Sequence, residues 1–488
     1  PFATAAPRPN CEMRLARKLA SLDVFRKIPT DLTEATLSGA SISIIAAFVI
    51  TFLFGMELHG YLQTTTNTSI VVDQSEPGEL LKINFNISFP AISCEFLTAD
   101  VSDAIGTKRL NLTKTVRKFP LNPDLEIAGS PMIDKVMPEV DHEPMDDEPL
   151  PDVDITEPIT ASTFENTMLQ YDIVVVNFYA PWCPWCQRLA PAWEAATKMI
   201  HDRHDEADGR IRFAKMDCTQ EMNLCRSHHI QGFPTIRVFR KGHDEVKNAH
   251  GQLEHESYTG DRTISALAAL GESLAQQAGQ PHARASHPLT KRVAKTGGCG
   301  MAGFVLVKKV PGTIIFNARA PGYSFDHATM NMSHVTHSFM FGSWLYGAKY
   351  RTMARMHPGG IESFWGDKMI KDQAFISTND HSTHEHYLQV IHNTFRPLSG
   401  GKNSHADVYE YTVHSHTYTN AEEVPAAKFA YTLSPMQMIV EERRQPFYHF
   451  VTTVCAIIGG VFTVAGMLDS GVYAAASLAK KHELGKLT

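Results

Sequence analysis

The fold of the middle of the chain is decided by one stretch, Val174-Val175-Val176-Asn177-Phe178-Tyr179-Ala180-Pro181-Trp182-Cys183-Pro184-Trp185-Cys186-Gln187-Arg188-Leu189. It begins with β-branched apolar residues, which predict a buried strand, and continues through a turn that contains proline. The residues after the turn predict a helix that begins at two cysteines with C-x-x-C spacing. Unpaired amides and the helix dipole at such an N-terminus stabilise a thiolate, so Cys183 is predicted to have a lowered pKa.

This C-x-x-C pair has three interpretations. In a redox site Cys183 is the nucleophile, and Cys186 resolves the mixed disulfide. In a zinc site a second Cys or His pair should follow at finger-like spacing, which the later pair Cys218 and Cys225 does not have. In a purely structural disulfide, a loop this short adds little stability. The strand before the cysteines and the helix after them favour the redox site.

Length and composition limit the class of protein. The chain has 488 residues, of which 43% are apolar, so it is long enough for about three domains and is not disordered as a whole. Its net charge of −7 gives no reason to expect nucleic acid as a partner. Its eight cysteines are too few for a disulfide-dense scaffold, so the cellular compartment must be argued from topology.

Two apolar runs lie near the ends of the chain, at 37–57 and 449–473. Each is about as long as a bilayer core requires, and we predict that both are transmembrane helices rather than buried helices of a soluble domain. Basic residues flank them on the outer side, which places the N-terminal segment 1–36 and the tail 474–488 in the cytosol. The region between the spans is then lumenal, in a compartment that permits disulfides.

Four N-glycosylation sequons fall within this lumenal region, at Asn67, Asn86, Asn111 and Asn331. Each is a weak signal alone because the pattern is frequent by chance. Together they are consistent with a glycoprotein of the secretory pathway.

Composition divides the lumenal region into domains. Segment 123–158 is acidic and rich in proline, which predicts an extended linker, and 276–297 is predicted to be a second linker. Between the linkers, 159–275 alternates strand and helix patterns and has the size of one α/β domain. The flanks, 58–122 and 298–448, contain segments that alternate at period two and predict a β-rich domain.

The middle domain resembles a thioredoxin fold of the protein disulfide isomerase type. Tyr179-Ala180-Pro181-Trp182-Cys183 with Cys186 matches that family's active-site stretch. Phe233-Pro234-Thr235 matches its cis-proline loop, which implies that Pro234 shapes a peptide groove facing the cysteines. Arg262 matches a mobile arginine that tunes the inner cysteine. Cys218 and Cys225 resemble a non-catalytic disulfide of some members.

The match to this family departs at two places. Pro184-Trp185 stands between the cysteines where isomerases usually have Gly-His, so the family's redox potential cannot be transferred. Asn177 stands where the family has a buried acid, although its lysine partner is retained as Lys215. An amide cannot take the proton that the inner cysteine must lose, which predicts slow turnover.

Both flanks resemble vesicle cargo receptors that cycle between the endoplasmic reticulum and the Golgi. The matching residues include Leu22-Asp23-Val24-Phe25-Arg26-Lys27, Phe89-Pro90-Ala91-Ile92-Ser93-Cys94, Leu433-Ser434-Pro435 and the run from Cys455 to Val464. The resemblance implies a lumenal β-sandwich that is split in sequence by the thioredoxin insertion. The combination resembles the membrane-anchored protein disulfide isomerases of plants and protists.

Cys94 and Cys299 lie on opposite sides of the insertion, in the same predicted β-domain. Two thiols of one domain tend to pair in an oxidising lumen, and the loop they close would be long. We therefore predict a structural disulfide between them.

Histidines are concentrated in the second flank, as His381, His384, His386 and His392, with His414 and His416 further on. Such clusters are consistent with zinc binding or with pH sensing, but they are more often ordinary polar residues of a sandwich. We assign no metal site and no cofactor.

The sequence thus predicts a thioredoxin fold inserted in a β-rich lumenal domain, with two transmembrane helices, in the endoplasmic reticulum and cis-Golgi membranes. The predicted activity is thiol-disulfide exchange with secretory client proteins. The alternative is a cargo receptor whose thioredoxin domain binds clients with little turnover. A related cargo-receptor subunit and a vesicle coat are candidate partners.

Overall fold

The computed structural model describes residues 37–73, 78–110, 112, 114–131, 140–142, 155–241, 254–278, 290–294, 298–328, 330–357, 369–379, 381–398, 404–420 and 423–484. The N-terminal segment 1–36, the sequon at Asn111 and much of both predicted linkers lie outside these residues. The chain forms two units, one containing the two long apolar helices and one spanning Asn67–Glu441.

The secondary structure is named here in chain order. The helices are α1 (Leu37–Leu62), α2 (Ala161–Gln170), α3 (Pro184–Arg203), α4 (Met222–Ser227), α5 (Ile264–Ala275), α6 (Gly347–Met356) and α7 (Phe447–Leu484). The strands are β1 (Thr65–Val72), β2 (Leu80–Phe89), β3 (Leu97–Asp103), β4 (Lys108–Arg109), β5 (Val116–Leu121), β6 (Ile173–Tyr179), β7 (Ile211–Asp217), β8 (Gly232–Phe233), β9 (Thr235–Arg240), β10 (Glu254–Tyr258), β11 (Thr290–Ala294), β12 (Gly298–Lys308), β13 (Gly312–Ala318), β14 (Ser324–Phe325), β15 (His334–Phe341), β16 (Gln373–Phe375), β17 (Ser382–Arg396), β18 (Ala406–Thr419) and β19 (Ala426–Arg443).

Helices α1 and α7 are long and apolar enough to cross a membrane. The apolar portions are Gly39–Leu62 and Phe447–Ala479, both with mean hydropathy 2.1 and neither buried in the protein. Both predicted spans are therefore helical. Helix α7 continues past the predicted end of its span, because the run Ala474-Ala475-Ala476 and the following Leu and Lys residues favour helix.

The inserted region forms a five-stranded sheet with the order β11-β10-β9-β6-β7. Strand β6 pairs with β7 in parallel and with β9 in antiparallel orientation. Val174, Val175 and Val176 are all buried, because helices cover both faces of this strand. The sheet extends past the predicted domain end at residue 275: β11 pairs with β10 from within the segment predicted as linker 276–297. Its sequence, Thr-Lys-Arg-Val-Ala, is too polar and short to be recognised as a strand.

Helix α3 begins at the cysteines, as predicted, with Cys183 as its N-cap and Pro184 as its first residue. Proline is favoured there because its missing N–H would have no helical partner. The buried residues lie three or four positions apart along one face and are Cys186, Leu189, Ala192, Trp193, Ala196, Thr197 and Ile200. This face holds the helix against the sheet and fixes the cysteines at the carboxyl end of β6.

The chain leaves the β-rich domain at the start of the inserted region and returns to it at the end, between two neighbouring strands. Strand β5 ends at Leu121 and β12 begins at Gly298, and these two residues are opposite each other in an antiparallel pair. The host sheet therefore loses no pairing through the insertion. This arrangement explains how two distant sequence segments make one domain.

The β-rich domain consists of two sheets packed over a common core, as the sequence predicted. One has the order β18-β17-β19-β13-β3-β4, with β1 also on β19, and the other has the order β16-β15-β2-β12-β5. Large side chains from both sheets meet between them, including Phe85, Phe316, Phe339 and Phe429. The Phe339 and Phe429 rings stack with centroids 4.8 Å apart.

A pair of histidines is buried in this sandwich. His334 Nε2 and His386 Nε2 lie 3.1 Å apart. His334 Nδ1 is 3.0 Å from the Met332 carbonyl oxygen, so it must donate there, and the neutral ring then accepts from His386 Nε2. His386 Nδ1 in turn accepts from the Ser415 hydroxyl at 2.8 Å. All four ring nitrogens are satisfied only when both rings are neutral.

Burial lowers the pKa of His334 to about 4, and burial with His334 as neighbour lowers the pKa of His386 to about 3. Unfolded histidine has a pKa of about 6.5, so between these values the unfolded chain binds more protons than the folded one. The free energy of unfolding should fall as pH drops from 6.5 toward 4, by up to about 1.4 kcal/mol per pH unit for each ring. Stability should be independent of these rings above pH 7.5.

Chemical denaturation of the wild type and of His334→Gln/His386→Gln between pH 7.5 and 4.5 measures this effect. The variant should be less stable at pH 7.5 but should lose less stability on acidification. Parallel pH profiles for the two proteins would contradict the assignment.

Candidate active site

The redox pair lies where β6 ends and α3 begins. The Cα atoms of Cys183 and Cys186 are 5.2 Å apart, and the cysteines are joined as a disulfide. The backbone N–H of Cys186 donates to Cys183 Sγ at 3.0 Å. When the pair is reduced, this donor and the positive end of the α3 dipole stabilise a thiolate on Cys183.

The cis-proline loop forms the other side of the site. The Phe233–Pro234 peptide bond is cis. Cys183 Sγ lies 3.5 Å from the Phe233 carbonyl oxygen. The Trp182 ring stands edge-on to the Phe233 ring at 5.9 Å, with 46% of Trp182 exposed. The loop therefore faces the outer cysteine, as the resemblance implied.

Both sulfurs are shielded from solvent. Cys183 is 0% exposed and Cys186 is 4% exposed. Trp185, between them in sequence, packs against the His142 ring, with centroids 5.0 Å apart and the ring planes tilted by 33°. His142 comes from the acidic segment 123–158, for which the sequence predicts only a linker.

Arg262 is buried next to the cis-proline loop, at 4% exposure. Its guanidinium donates to the carbonyl oxygens of Pro234 and Gly322 and to His142 Nε2. It also lies over the Tyr323 ring, 4.8 Å from the centroid. Burial lowers the pKa of Arg262, yet an arginine remains protonated at neutral pH.

These contacts explain the tautomer of His142. Burial first and then Arg262 lower the pKa of His142, so its ring is neutral. Nδ1 donates to the Val140 carbonyl oxygen at 2.9 Å, which leaves Nε2 to accept from Arg262 at 3.3 Å. A neutral histidine thus carries one of the hydrogen bonds that hold the buried cation.

Asn177 is 4% exposed, and its Oδ1 has no hydrogen-bond partner among the described residues. Lys215 lies opposite Asn177 in the β6–β7 register, but its ammonium pairs with Glu194 at 3.0 Å. Glu194 also accepts from the backbone N–H groups of Ile155 and Thr156, at 2.9 and 2.7 Å. Lys215, which the resemblance makes the partner of residue 177, is therefore already held by a carboxylate on α3 that no motif in the sequence indicates.

Two other disulfides lie outside the reactive pair. Cys218 and Cys225 join the end of β7 to α4, with Cα atoms 5.8 Å apart. Cys94 and Cys299, 205 positions apart, join the loop after β2 to the start of β12, with Cα atoms 4.9 Å apart. Both Cα separations lie within the normal range for a disulfide.

The other predicted site residues are dispersed. Asn67, Asn86 and Asn331 are exposed. His384 and His386 share a buried cluster with His334, whereas His392 lies beside Asp73 and Asp407 and His414 and His416 are exposed on β18. No group of three or more His, Cys, Asp or Glu side chains in the described part of the chain is arranged to hold a metal ion.

Three family models match successive parts of the chain. The Endoplasmic Reticulum-Golgi Intermediate Compartment (ERGIC) model matches residues 19–110, and the thioredoxin model matches 155–260. The endoplasmic reticulum vesicle transporter model matches 280–469. The order of the matches is that of a thioredoxin domain inserted between the two flanks.

Curated relatives match over nearly the full length. Protein disulfide-isomerase 5-4 of Arabidopsis thaliana is 45% identical over 96% of this chain and 98% of that protein. Protein disulfide isomerase-like 5-4 of Oryza sativa subsp. japonica is 46% identical over 96% of this chain and 99% of that protein. This chain belongs to their family of protein disulfide-isomerases.

The flanks relate this isomerase to transport proteins. Endoplasmic reticulum-Golgi intermediate compartment protein 1 of Xenopus laevis is 34% identical over 39% of this chain and 61% of that protein. The protein is therefore a membrane-bound disulfide isomerase of the early secretory pathway, with ERGIC and vesicle-transporter regions around its redox domain. The resemblances found in the sequence are confirmed.

The environment of Asn177 predicts the effect of restoring an acid. A carboxylate at this buried position has a raised pKa and takes a proton near neutral pH, so Asn177→Glu should speed attack by Cys186 on a mixed disulfide by at least about tenfold. Because Lys215 is held by Glu194, the new acid should lower stability slightly. Asn177→Gln, of equal size and without charge, is the matched control.

Stopped-flow measurement of mixed-disulfide resolution in the three proteins provides the test. Equal rates for Asn177→Glu and Asn177→Gln in folded proteins would show that residue 177 does not limit proton removal.

Proposed function

We propose that this isomerase exchanges disulfides with secretory client proteins through Cys183, with Cys186 as the resolving thiol. One observation carries the assignment: Cys183 caps helix α3 and its sulfur accepts the N–H of Cys186. Among the described residues, the outer cysteine alone of this pair has such a donor on its sulfur and the cis-proline carbonyl beside it. The thiolate form of Cys183 is therefore favoured over that of Cys186.

In the reducing direction, the Cys183 thiolate attacks one sulfur of a client disulfide, and the other client sulfur leaves as a thiolate. Cys186 then loses its proton and attacks Cys183 Sγ, which releases the first client sulfur as a thiolate. Two electrons pass to the client, and the Cys183–Cys186 disulfide forms. In the oxidising direction the same steps run in reverse, and in isomerisation a client thiol displaces Cys183.

Pro234 and Arg262 have supporting roles in this proposal. Pro234 shapes the backbone that faces Cys183, and Arg262 fixes that backbone through the Pro234 carbonyl oxygen. The Cys218–Cys225 and Cys94–Cys299 disulfides are structural. The second closes a very long loop and stabilises the sandwich where the insertion begins and ends.

The proposed topology places residues 58–448 in the lumen and both termini in the cytosol. It is supported by the basic residues outside the two apolar helices and by the exposed sequons at Asn67, Asn86 and Asn331. The proposed sites of residence are the endoplasmic reticulum, its intermediate compartment and the cis-Golgi. Related cargo-receptor subunits and a vesicle coat are the proposed transport partners.

A second function, cargo retention with slow turnover, is favoured by the surroundings of Asn177. The side chain supplies no base for Cys186, and Lys215 is held by Glu194. Mixed disulfides should then persist, and a long-lived mixed disulfide can hold a client during transport. The two functions differ in the lifetime of the Cys183–client bond.

A Cys186→Ser variant should accumulate clients as mixed disulfides, since the resolving sulfur is absent. In membranes from cells alkylated before lysis, we expect high-mass forms that dithiothreitol removes. Cys183→Ser/Cys186→Ser is the control and should form none.

Comparison with the wild type separates the two functions. If turnover is efficient, few client adducts should be found on the wild type. If clients are retained, the wild type should carry nearly as many client adducts as Cys186→Ser. Absence of adducts from both would contradict the proposed role of Cys183.

A further inference from the structure

The sandwich domain sends one segment onto the redox domain. After β13, residues 320–325 leave the sandwich, and β14 pairs antiparallel with β8 of the cis-proline loop. The opposed residues are Ser324 with Phe233 and Phe325 with Gly232. Two domains of one lumenal unit are therefore joined by backbone pairing next to the active site.

A client chain that reacts with Cys183 must also approach strand β8. Its Phe233 carbonyl oxygen is 3.5 Å from Cys183 Sγ, so a client sulfur bonded to Cys183 brings its own backbone beside this strand. An extended peptide gains affinity by adding itself to a free strand edge. In this structure β14 already occupies that edge.

Aromatic packing holds β14 in place. The Phe325 ring lies 5.3 Å from Phe96, and the Tyr323 ring lies 5.4 Å from Phe96. Gly232 permits the close approach, since a Cβ there would lie 3.0 Å from the Phe325 ring and 3.3 Å from the Phe96 ring. The Gln231 amide adds hydrogen bonds of 2.8 Å to Ser93 N and the Ala91 carbonyl oxygen of the sandwich.

A second segment, residues 140–142, closes the site from the other side. The His142 ring covers Trp185, and the Asp141 carbonyl oxygen accepts the Arg262 backbone N–H at 2.7 Å. The Arg262 guanidinium reaches His142 and, in the other segment, the carbonyl oxygen of Gly322. The buried guanidinium of Arg262 thus links both segments to the loop that faces Cys183. The two segments, residues 140–142 and 320–325, are together called the cover.

We propose that this cover is a displaceable pseudo-client: an extended client segment replaces β14 at β8, and Arg262 exchanges the Gly322 carbonyl oxygen for one of the client. The proposal rests on Cys183 being the reacting sulfur, as proposed above. It explains why Cys183 is 0% exposed in an enzyme whose substrates are proteins.

The contacts of the cover suit its displacement by a client segment. Strand β14 has only two residues, and Tyr323 and Ser324 remain partly exposed, so opening breaks few contacts. Apart from His142 and the Tyr323 hydroxyl, the polar groups that the cover supplies to Arg262 are backbone carbonyls, which any client also has. The favoured client is an extended, unfolded segment with an aromatic side chain to replace Phe325.

The test follows reaction of the full-length oxidised protein, in detergent micelles, with a reduced synthetic peptide containing two cysteines and one phenylalanine. Attack by a peptide thiolate on Cys183 releases the Cys186 thiolate, and the second peptide thiol then completes peptide oxidation. Tryptophan fluorescence from Trp182 and Trp185 reports the rate. Dithiothreitol serves as the small reductant, which does not need the β8 edge.

Tyr323→Ala removes the ring from Arg262 and Phe96, and His142→Ala removes the other segment's contacts with Arg262 and Trp185. Each should raise the peptide rate about tenfold, the factor expected for loss of a buried cation–π or ring contact, and should change the dithiothreitol rate less. Tyr323→Phe keeps the ring but removes the hydroxyl that hydrogen-bonds to Arg262, so its peptide rate should lie between those of the wild type and Tyr323→Ala. Tyr387→Ala, a half-exposed tyrosine on β17, controls for loss of a tyrosine elsewhere.

Thermal unfolding of each variant and retention of the Cys94–Cys299 disulfide establish folding. If Tyr323→Ala fails to fold, His142→Ala alone decides, because His142 is not part of the cluster in which Tyr323 packs with Phe96 and Phe325. Peptide rates within twofold of wild type in folded cover variants would overturn the cover but leave the proposed function intact. No peptide reaction in any form, with dithiothreitol still reducing the pair, would contradict both.

Discussion

The pairing of β14 with β8 is the contact that places the β-rich domain against the active site. It joins the sandwich to the inserted redox domain at the backbone beside Cys183. The insertion begins and ends between the paired residues Leu121 and Gly298, next to the Cys94–Cys299 disulfide. Because a strand pair and a disulfide close this anchor, the host domain can hold its own strand against the active site instead of leaving the redox domain on a free tether.

The reactivity of Cys183 and the access of clients to it have different physical origins. The helix N-terminus and the Cys186 N–H favour a thiolate at Cys183, a local effect that any such strand–turn–helix produces. Access to that thiolate depends on Arg262, a cation that is buried only because backbone carbonyls and neutral His142 satisfy it. In the proposed mechanism Asn177 affects a third step, the deprotonation of Cys186. An enzyme with a covered site and a slow resolving thiol suits the capture of clients for transport.

The local motifs were predictable from the sequence, and the long-range contacts were not. The buried strand Val174–Val176, the helix starting after Cys183, and the two apolar helices follow from periodicity and composition within short windows. Glu194 holding Lys215, His334 bonding to His386, and Tyr323 lying over Arg262 join residues separated by many positions. Their pairing depends on sheet order and register, for which a single sequence carries no local signal. The strand Thr290–Ala294 was missed because its pairing, not its pattern, makes it a strand.

The central claim is that the host domain occupies the client-binding edge of its own redox domain. Amide hydrogen exchange of the full-length oxidised protein measures this occupancy directly in the segments around Ser324 and Phe233. We expect amides of β14 and β8 to be protected well beyond an unstructured chain. When a peptide with one cysteine and one phenylalanine is trapped as a mixed disulfide on Cys183 of a Cys186→Ser variant, β14 should lose protection, while β8, now paired with the peptide, and β13 stay protected. Exchange of the β14 amides at the rate of an unstructured peptide, in a protein whose β13 amides remain protected, would contradict the claim.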